Sequence, residues 1–211
     1  MVKNITKLAL FFLIISAIAS YAIAQEDEAK YEFNGKVGRL SSFSDDYEST
    51  IMIELNIAYS ITKHIAVSGG AIFTNFQGPS EILLGGQDLL DYFESLSPYR
   101  VDKIRMDEQI FTGKIILKAG GKRFSPYASF GLGGYQFRYR QNVFVTNPFT
   151  LMESALPVYF QNTVLGLNVG AGLNIYMNDF LAIKFDGCYH KVFYDLIDQQ
   201  MTISAGFGFL F

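Results

Sequence analysis

Residues 51–61 read IMIELNIAYSI, and their side chains alternate between large apolar residues and small or polar residues. Because an extended chain directs successive side chains to opposite faces, this alternation predicts a β-strand with one apolar face. Residues 165–175, LGLNVGAGLNI, and residues 181–190, LAIKFDGCYH, repeat the pattern. These three segments therefore predict strands of about ten residues, each with one apolar and one polar or glycine-rich face.

Weaker alternation in the rest of the chain brings the number of predicted strands to eight. The additional segments are residues 31–37, 65–74, 111–118, 126–140 and 201–211. Glycine pairs at Gly69-Gly70 and Gly133-Gly134 interrupt the alternation, and we expect β-bulges or a close backbone approach there.

The connections between these strands alternate strictly between short and long. The short ones are residues 61–64, 120–125 and 177–179, and the long ones are residues 41–50, 75–108, 141–162 and 191–198. This asymmetry is typical of barrels that cross an outer membrane, whose periplasmic turns are short and whose extracellular loops are long. Ten-residue strands suit a tilted crossing, and a closed barrel pairs every backbone group. The predicted fold is an all-β, eight-stranded antiparallel up-and-down transmembrane β-barrel.

The N-terminal segment has the features of a secretory signal peptide. Lys3 and Lys7 precede an apolar run from Leu8 to Ile18, and Ala22-Ile23-Ala24 has the form of a cleavage site. An uncleaved membrane anchor is the alternative, but it needs a longer apolar run. We therefore predict a signal peptide at residues 1–24, cleaved after Ala24, and a barrel domain at residues 25–211.

Composition excludes several classes of protein. The 211 residues carry a net charge of -3, so the chain has no basic surplus for binding nucleic acid. The single cysteine, Cys188, cannot form an internal disulfide or supply a metal cluster, and small-residue packing is its expected role. No cofactor and no metal ion are predicted.

The last predicted strand indicates a family. The face that it shares with the C-terminal residue carries Met201, Ile203, Ala205, Phe207, Phe209 and Phe211. A terminal Phe on such a face resembles the assembly signal of bacterial outer-membrane β-barrels. With the signal peptide and the loop asymmetry, the mature chain resembles the small eight-stranded barrels that include the OmpA barrel, OmpX and OmpW. The resemblance implies a monomer in outer-membrane lipid, with Phe207, Phe209 and Phe211 recognised by the insertion machinery.

Four charged residues are expected to meet in the barrel lumen. Glu54, Lys114, Lys184 and Asp186 lie on inward faces at similar mid-barrel heights. Since an eight-stranded barrel is only wide enough to be filled by its own side chains, these groups should neutralise each other. The network would be either a permanent plug, which we favour, or a gate for ions.

Aromatic residues are expected on the outer surface, at the two membrane interfaces. The predicted girdles contain Tyr31, Phe33, Tyr59, Phe111, Tyr135, Tyr139 and Tyr189.

The longest connection, residues 75–108, is a candidate binding surface. Leu89, Leu90, Phe93 and Leu96 recur at helical spacing, with acidic residues on the opposite side, which predicts a short amphipathic helix. Its apolar face would pack on the barrel mouth or on the 141–162 connection, or would bind an extracellular partner or a small apolar solute.

These features predict a non-enzymatic outer-membrane protein with a structural, surface-interaction or small-solute permeation role. One alternative is a periplasmic lipocalin-like carrier of apolar ligands. Another is a lipid A modifying barrel enzyme, which would require a serine or an acid beside His190. The other histidine, His64, falls in a predicted periplasmic turn and is expected to be solvated.

Overall fold

The computed structural model describes residues 31–43, 48–78, 99–119, 121, 123–146, 150, 152–194 and 197–211. Within these residues all regular secondary structure is β. The strands are β1 (Tyr31–Ser42), β2 (Thr50–Ser60), β3 (Ile65–Gln77), β4 (Tyr99–Val101), β5 (Arg105–Lys118), β6 (Phe124–Thr146), β7 (Glu153–Tyr176), β8 (Leu181–Val192) and β9 (Gln199–Leu210). No helix in the described ranges is long and apolar enough to cross a membrane.

Eight of these strands form a closed antiparallel barrel. Each long strand pairs with the next long strand in sequence, and β1 pairs with β9 to close the ring, as in the pair Phe33 and Phe209. The short strand β4 pairs only with β6, so it lies outside the ring. The predicted eight-stranded up-and-down barrel is confirmed.

The large apolar side chains point away from the barrel axis. On β2, Ile51 is 74% exposed and Ile53 is 52% exposed, whereas Met52 and Glu54 between them are buried. A lipocalin-like carrier would place its large apolar residues inside and its polar residues outside. The observed apolar exterior does not fit that alternative and suits contact with lipid.

The short turns lie at one end of the barrel, together with the first and last described residues, Tyr31 and Phe211. We call this end the short-turn end. Thr62 Oγ1 accepts hydrogen bonds from the backbone N–H groups of His64 and Ile65. In the turn before β8, Asn178 Oδ1 accepts hydrogen bonds from the backbone N–H groups of Phe180 and Leu181. Side-chain oxygens thus fix these turns without a longer loop. We call the opposite end, where the longer connections lie, the loop end.

The predicted loop at residues 141–162 is wrong. Strands β6 and β7 pair without interruption from Phe124 and Ile175 to Thr146 and Glu153, so most of this segment is a β-hairpin. Its outer part extends past the ends of the neighbouring strands β5 and β8. Where both faces of a strand are in water, apolar and polar residues need not alternate, and the sequence signal for a strand is lost.

The two glycine pairs do not form bulges, and this corrects the predicted aromatic girdles. The β2–β3 and β5–β6 registers continue unbroken through Gly69-Gly70 and Gly133-Gly134. The inward phase of β6 therefore includes Tyr135 and Tyr139, which are buried in the lumen. A Cβ atom at Gly133 or Gly166 would lie within 3 Å of the Tyr135 ring, so these glycines make room for it. The predicted girdle residues that do face outward are Tyr31, Phe33, Tyr59, Phe111 and Tyr189.

Two of the predicted segments lie outside the described residues. They are the signal peptide at residues 1–24, and the part of the 75–108 connection that contains Leu89, Leu90, Phe93 and Leu96. Of that connection, the structure assigns residues up to Gln77 to β3, residues 99–101 to β4 and residues from Arg105 to β5.

Candidate functional site

The half of the lumen nearer the short-turn end contains a network of ion pairs centred on Lys36 of β1. Its Nζ atom lies 2.7 Å from Asp186 Oδ2 and 2.9 Å from Glu54 Oε2. Lys114 Nζ is 3.8 Å from the other oxygen of Glu54. All four side chains are less than 10% exposed, so water screens these charges only weakly. We call this group, with Lys184 and Glu32, the ion-pair network.

Lys184 does not join Glu54 and Asp186 directly. Its Nζ atom is 2.8 Å from Glu32 Oε1, and both side chains are buried. The structure thus brings Glu54, Lys114 and Asp186 together through Lys36 and gives Lys184 a separate acidic partner. Three lysines face three carboxylates, so the network has no net formal charge.

Sequence reasoning missed Lys36 and Glu32 as members of the network. Which inward residues meet depends on the stagger between strands that are far apart in the chain. The β1–β9 and β8–β9 registers set Lys36 and Lys184 opposite the same residue, Gly206. That residue has no side chain to separate the charged groups.

A small cavity of about 20 Å³ remains inside the ion-pair network. Asn34, Asn56 and Ser68 line it together with charged side chains. Asn34 Nδ2 donates to Asn56 Oδ1 at 2.6 Å, and Asn56 Nδ2 donates to Glu54 Oε1 at 2.9 Å. A space of this size holds about one water molecule, so it is no path for a solute.

Two further groups of polar side chains lie in the lumen, apart from the ion pairs. Gln200 Nε2 donates to both carboxylate oxygens of Glu108 at 3.0 Å. His190 Nδ1 lies 2.8 Å from the Tyr135 hydroxyl, and His190 Nε2 lies 3.2 Å from Thr202 Oγ1. These five side chains are almost completely buried.

Apolar residues fill the half of the lumen nearer the loop end, and we call them the apolar plug. Ten of its residues come from the barrel strands, and two, Ile104 and Ile197, come from the connections at the loop end. The full set is Leu40, Met52, Ile72, Phe76, Ile104, Met106, Ile110, Tyr135, Phe137, Tyr139, Val192 and Ile197. All are at most 1% exposed, so the plug closes the lumen below the loop end.

His190 does not have the partners that a nucleophilic mechanism requires. Both of its ring nitrogens are engaged, by Tyr135 and Thr202, and neither contact is with a serine or a carboxylate. His64 is exposed in the turn after β2, with Nδ1 3.1 Å from the Lys118 carbonyl oxygen. Cys188 is buried and unpaired. Among the described residues, no group of His, Cys, Asp and Glu could hold a metal ion.

The extended part of the β6–β7 hairpin, which we call the projecting hairpin, consists of residues 141–146 and 153–165. The last pair between β7 and β8 is Gly166 with Val192, and beyond it β7 pairs only with β6. Leu156, Tyr159 and Phe160 are 41%, 69% and 43% exposed on this segment.

Ion pairs at the loop end differ from those in the lumen because they are exposed. Arg100 Nη2 lies 3.6 Å from Glu153 Oε1, and the guanidinium also lies 4.5 Å from the centre of the Phe144 ring. Lys191 Nζ lies 2.6 Å from Asp198 Oδ2, and hydrogen bonds from Lys191 and Gln199 lower the pKa of Asp198. Such exposed pairs contribute little to stability.

The aromatic side chains of the predicted assembly signal lie on the lipid-facing surface of β9. Phe207, Phe209 and Phe211 are 54%, 49% and 72% exposed. Phe211 and Tyr31 exchange two backbone hydrogen bonds of 2.9 Å, which tie the C-terminus to the start of β1. The aromatic row therefore ends at the strand junction that closes the barrel.

A closed eight-stranded antiparallel barrel with an apolar exterior and a filled lumen defines the class of small outer-membrane β-barrel proteins. The family comparison agrees with this fold. The chain belongs to the outer membrane protein beta-barrel domain family, whose model matches residues 10–211. It is an integral protein of the bacterial outer membrane.

Solved structures of other outer-membrane proteins share this fold at low sequence identity. A major outer membrane protein from Thermus thermophilus has a TM-score of 0.56 and 10% identity, over 88% of this chain and 100% of that one. The outer membrane protein OprG from Pseudomonas aeruginosa has a TM-score of 0.54 and 11% identity, over 87% and 95%. None of the curated proteins matches the chain significantly.

Proposed function

We propose that this protein is a binding protein of the outer cell surface and that it does not act as a diffusion pore. The observation that carries the proposal is the projecting hairpin, which continues beyond the β7–β8 pairing for 13 residues of β7. At about 3.3 Å per residue, this length is far more than a turn between two membrane strands needs. The filled lumen argues against permeation, because both of its halves are packed with buried side chains.

The side chains of the projecting hairpin would form the contact surface. Exposed apolar and aromatic groups such as Leu156, Tyr159 and Phe160 are typical of binding surfaces, since aromatic residues account for much of the energy at interfaces. The free backbone edge of β7 is less suited to bind an added strand. Leu165 directs its carbonyl group to the β8 side, so by alternation Pro157 lies on the same edge, where it supplies no N–H donor.

The test compares adhesion of cells that display the parent protein with cells that display Leu156→Ser/Tyr159→Ser/Phe160→Ser. We expect the triple variant to insert normally and to lose most retention on an alkyl-coated surface. The control, Met177→Ser/Phe180→Ser, changes apolar side chains that are 55% and 59% exposed at the short-turn end. It should adhere like the parent. If the triple variant adhered as strongly as the parent at equal surface density, the proposed role of the hairpin would be refuted.

The predicted helix in the 75–108 connection remains a second hypothesis for a surface contact. Replacing Leu90 and Phe93 by Ser would show whether this segment contributes to the same adhesion. Unchanged adhesion in a correctly inserted barrel would assign the contact to the hairpin alone.

The proposed role is non-catalytic. The environment of His190 supports it, because Tyr135 and Thr202 occupy both ring nitrogens deep in a closed lumen. A substrate would have no access to the imidazole through the packed side chains on either side of it.

We also propose that export and insertion follow the predicted signals and that the inserted barrel is a monomer. Cleavage after Ala24 would give a mature chain that starts at Gln25, which the intact mass of the extracted protein would show. Deletion of Phe211 should lower the outer-membrane yield in cells far more than it affects refolding in detergent, because it removes one exposed side chain of little buried area and one terminal pair of backbone hydrogen bonds. Equal yields would count against recognition of the terminal Phe.

A further inference from the structure

The outward faces of β5, β6 and β7 change from apolar to uncharged polar and then to basic towards the loop end. Cross-strand registers place outward residues of these strands in rows, and the rows of the membrane band are apolar. The topmost apolar row is Phe111, Gly134 and Leu165. Three rows follow towards the loop end. The first contains Gln109, Gln136 and Thr163. The second contains Asp107, Arg138 and Gln161, and the third contains Arg105, Arg140 and Tyr159.

The arginine side chains of these rows can reach back to the height of lipid headgroups. Successive rows are two residues apart, about 7 Å along each strand, and the strands of such barrels tilt by roughly 40°. The row of Arg138 therefore stands about 10 Å above the last apolar row, and the row of Arg105 and Arg140 about 15 Å above it. Arginine side chains are long enough to reach back several ångströms towards the hydrocarbon boundary.

Two of the three arginines have no acidic partner within the described ranges. Arg140 forms an ion pair with Asp107, and Asn75 Nδ2 donates to the same carboxylate at 2.6 Å. Arg138 Nη2 donates to Gln136 Oε1 at 3.2 Å, a neutral group. No described carboxylate lies within 4 Å of Arg105 or Arg138, although the whole chain has a net charge of -3. Three guanidinium groups and one carboxylate give this patch a charge of about +2.

Near the loop end, Arg100, Lys103 and Lys191 each have an acidic partner, whereas Arg39, exposed on the outward face of β1, has none within the described ranges. Arg100 lies 3.6 Å from Glu153, and Lys103 lies 3.8 Å from Glu48. The cluster of unpaired positive charge thus lies on the outward face of β5 and β6, one uncharged row above the apolar band.

We propose that Arg105, Arg138 and Arg140 bind the phosphorylated headgroup of a lipid in the outer leaflet. A guanidinium group donates two parallel hydrogen bonds to a phosphate, and Arg105 and Arg140 are direct cross-strand neighbours that can flank one such group. The acyl chains of the same lipid would lie along the apolar rows below. This site adjoins the proposed adhesion surface, because Tyr159 is the cross-strand partner of Arg140. The two proposals are tested separately, since the arginine variants leave all three hairpin side chains unchanged.

The experiment measures lipid binding to the full-length mature protein, refolded in detergent micelles, by native mass spectrometry. The probes are bis-phosphorylated lipid A, fully dephosphorylated lipid A and inorganic phosphate. The variant is Arg105→Gln/Arg138→Gln. The matched control, Arg100→Gln/Lys103→Gln, removes the same charge from paired residues near the same end. Heat-modifiable migration on gels would establish that every variant forms the barrel.

We expect the double variant to bind lipid A ten- to thirtyfold more weakly than the parent, and the control to bind within about twofold of it. The parent should bind the dephosphorylated lipid as weakly as the double variant binds lipid A. A single Arg105→Gln variant should fall between parent and double variant. Equal loss in the control, or equal affinity for the dephosphorylated lipid, would overturn the proposal. Displacement of lipid A by millimolar inorganic phosphate would identify a site for soluble anions and overturn it as well.

Discussion

The two halves of the lumen are filled by different kinds of interaction. Near the short-turn end, Lys36, Glu54 and Asp186 form buried ion pairs, and near the loop end, residues such as Phe76 and Phe137 form a packed apolar plug. Each half is filled by buried side chains. A charged network is strongly destabilised when one partner is lost, whereas an apolar core is destabilised in proportion to the cavity that is created. Closure of this barrel therefore rests on two parts with different sensitivities to mutation.

The largest effect is expected from Lys36→Met in the ion-pair network. The substitution leaves Glu54 and Asp186 without their closest cation, and breaking a buried pair in this way costs about 3–5 kcal/mol of unfolding free energy. Urea unfolding of the refolded barrel in lipid vesicles would measure it. Lys191→Met, which breaks the exposed pair with Asp198, should leave the unfolding midpoint unchanged.

A second substitution separates a charge effect from a general loss of packing. Lys36→Met/Asp186→Asn should be less destabilised than Lys36→Met alone, because it neutralises Asp186, which has lost its ion pair, while Glu54 still lies 3.8 Å from Lys114. If the double variant were instead less stable than the single variant, the ion-pair network would not explain the stability of this half.

A smaller effect is expected from Ile110→Ala in the apolar plug. Ile110 is fully buried, and shortening it leaves a cavity that should cost roughly 2–4 kcal/mol in the same unfolding assay. The matched control is Ile115→Ala on the lipid-facing side of the same strand, where Ile115 is 36% exposed and lipid can fill the space. Equal losses for the two variants would show that the loop-end half is not tightly packed.

The smallest effect is expected where the two halves meet, at the glycine pair of β6. A Cβ atom at Gly133 would lie 2.8 Å from Tyr135 Cε2, so Gly133→Ala should cost about 1–2 kcal/mol through overpacking. At Gly134, which faces outward, a Cβ atom would meet nothing within 4 Å, and Gly134→Ala should be close to neutral. If Gly134→Ala were the less stable of the two variants, Gly134 and not Gly133 would face the lumen.

The alternation of side chains predicted the barrel because a membrane strand faces two different solvents. It identified Ile51 and Ile53 as outward and Glu54 as inward without knowledge of any partner strand. The same reasoning was wrong for Tyr135 and Tyr139, since glycine at both Gly133 and Gly134 conceals which phase points inward. It also missed the projecting hairpin, because a strand beyond the membrane has water on both faces.

Partners within the lumen could not be predicted from alternation. Assigning Lys36 to Glu54 and Asp186 requires the stagger of strands across the whole ring, which single-strand patterns do not contain. The contribution of Ile104 and Ile197 to the plug was also beyond reach, because these residues belong to connections that had no strand signal. Their burial depends on how the chain enters the barrel mouth.

The central claim, that both halves close the lumen, is tested most directly by single-channel conductance of the refolded full-length mature protein in a planar bilayer. The packed plug and the neutral ion-pair network predict no sustained open-channel current above the bilayer baseline, at either polarity and in 1 M KCl. A stable ohmic current from correctly folded barrels, altered by Lys36→Met or Ile110→Ala, would contradict the claim and restore a permeation role.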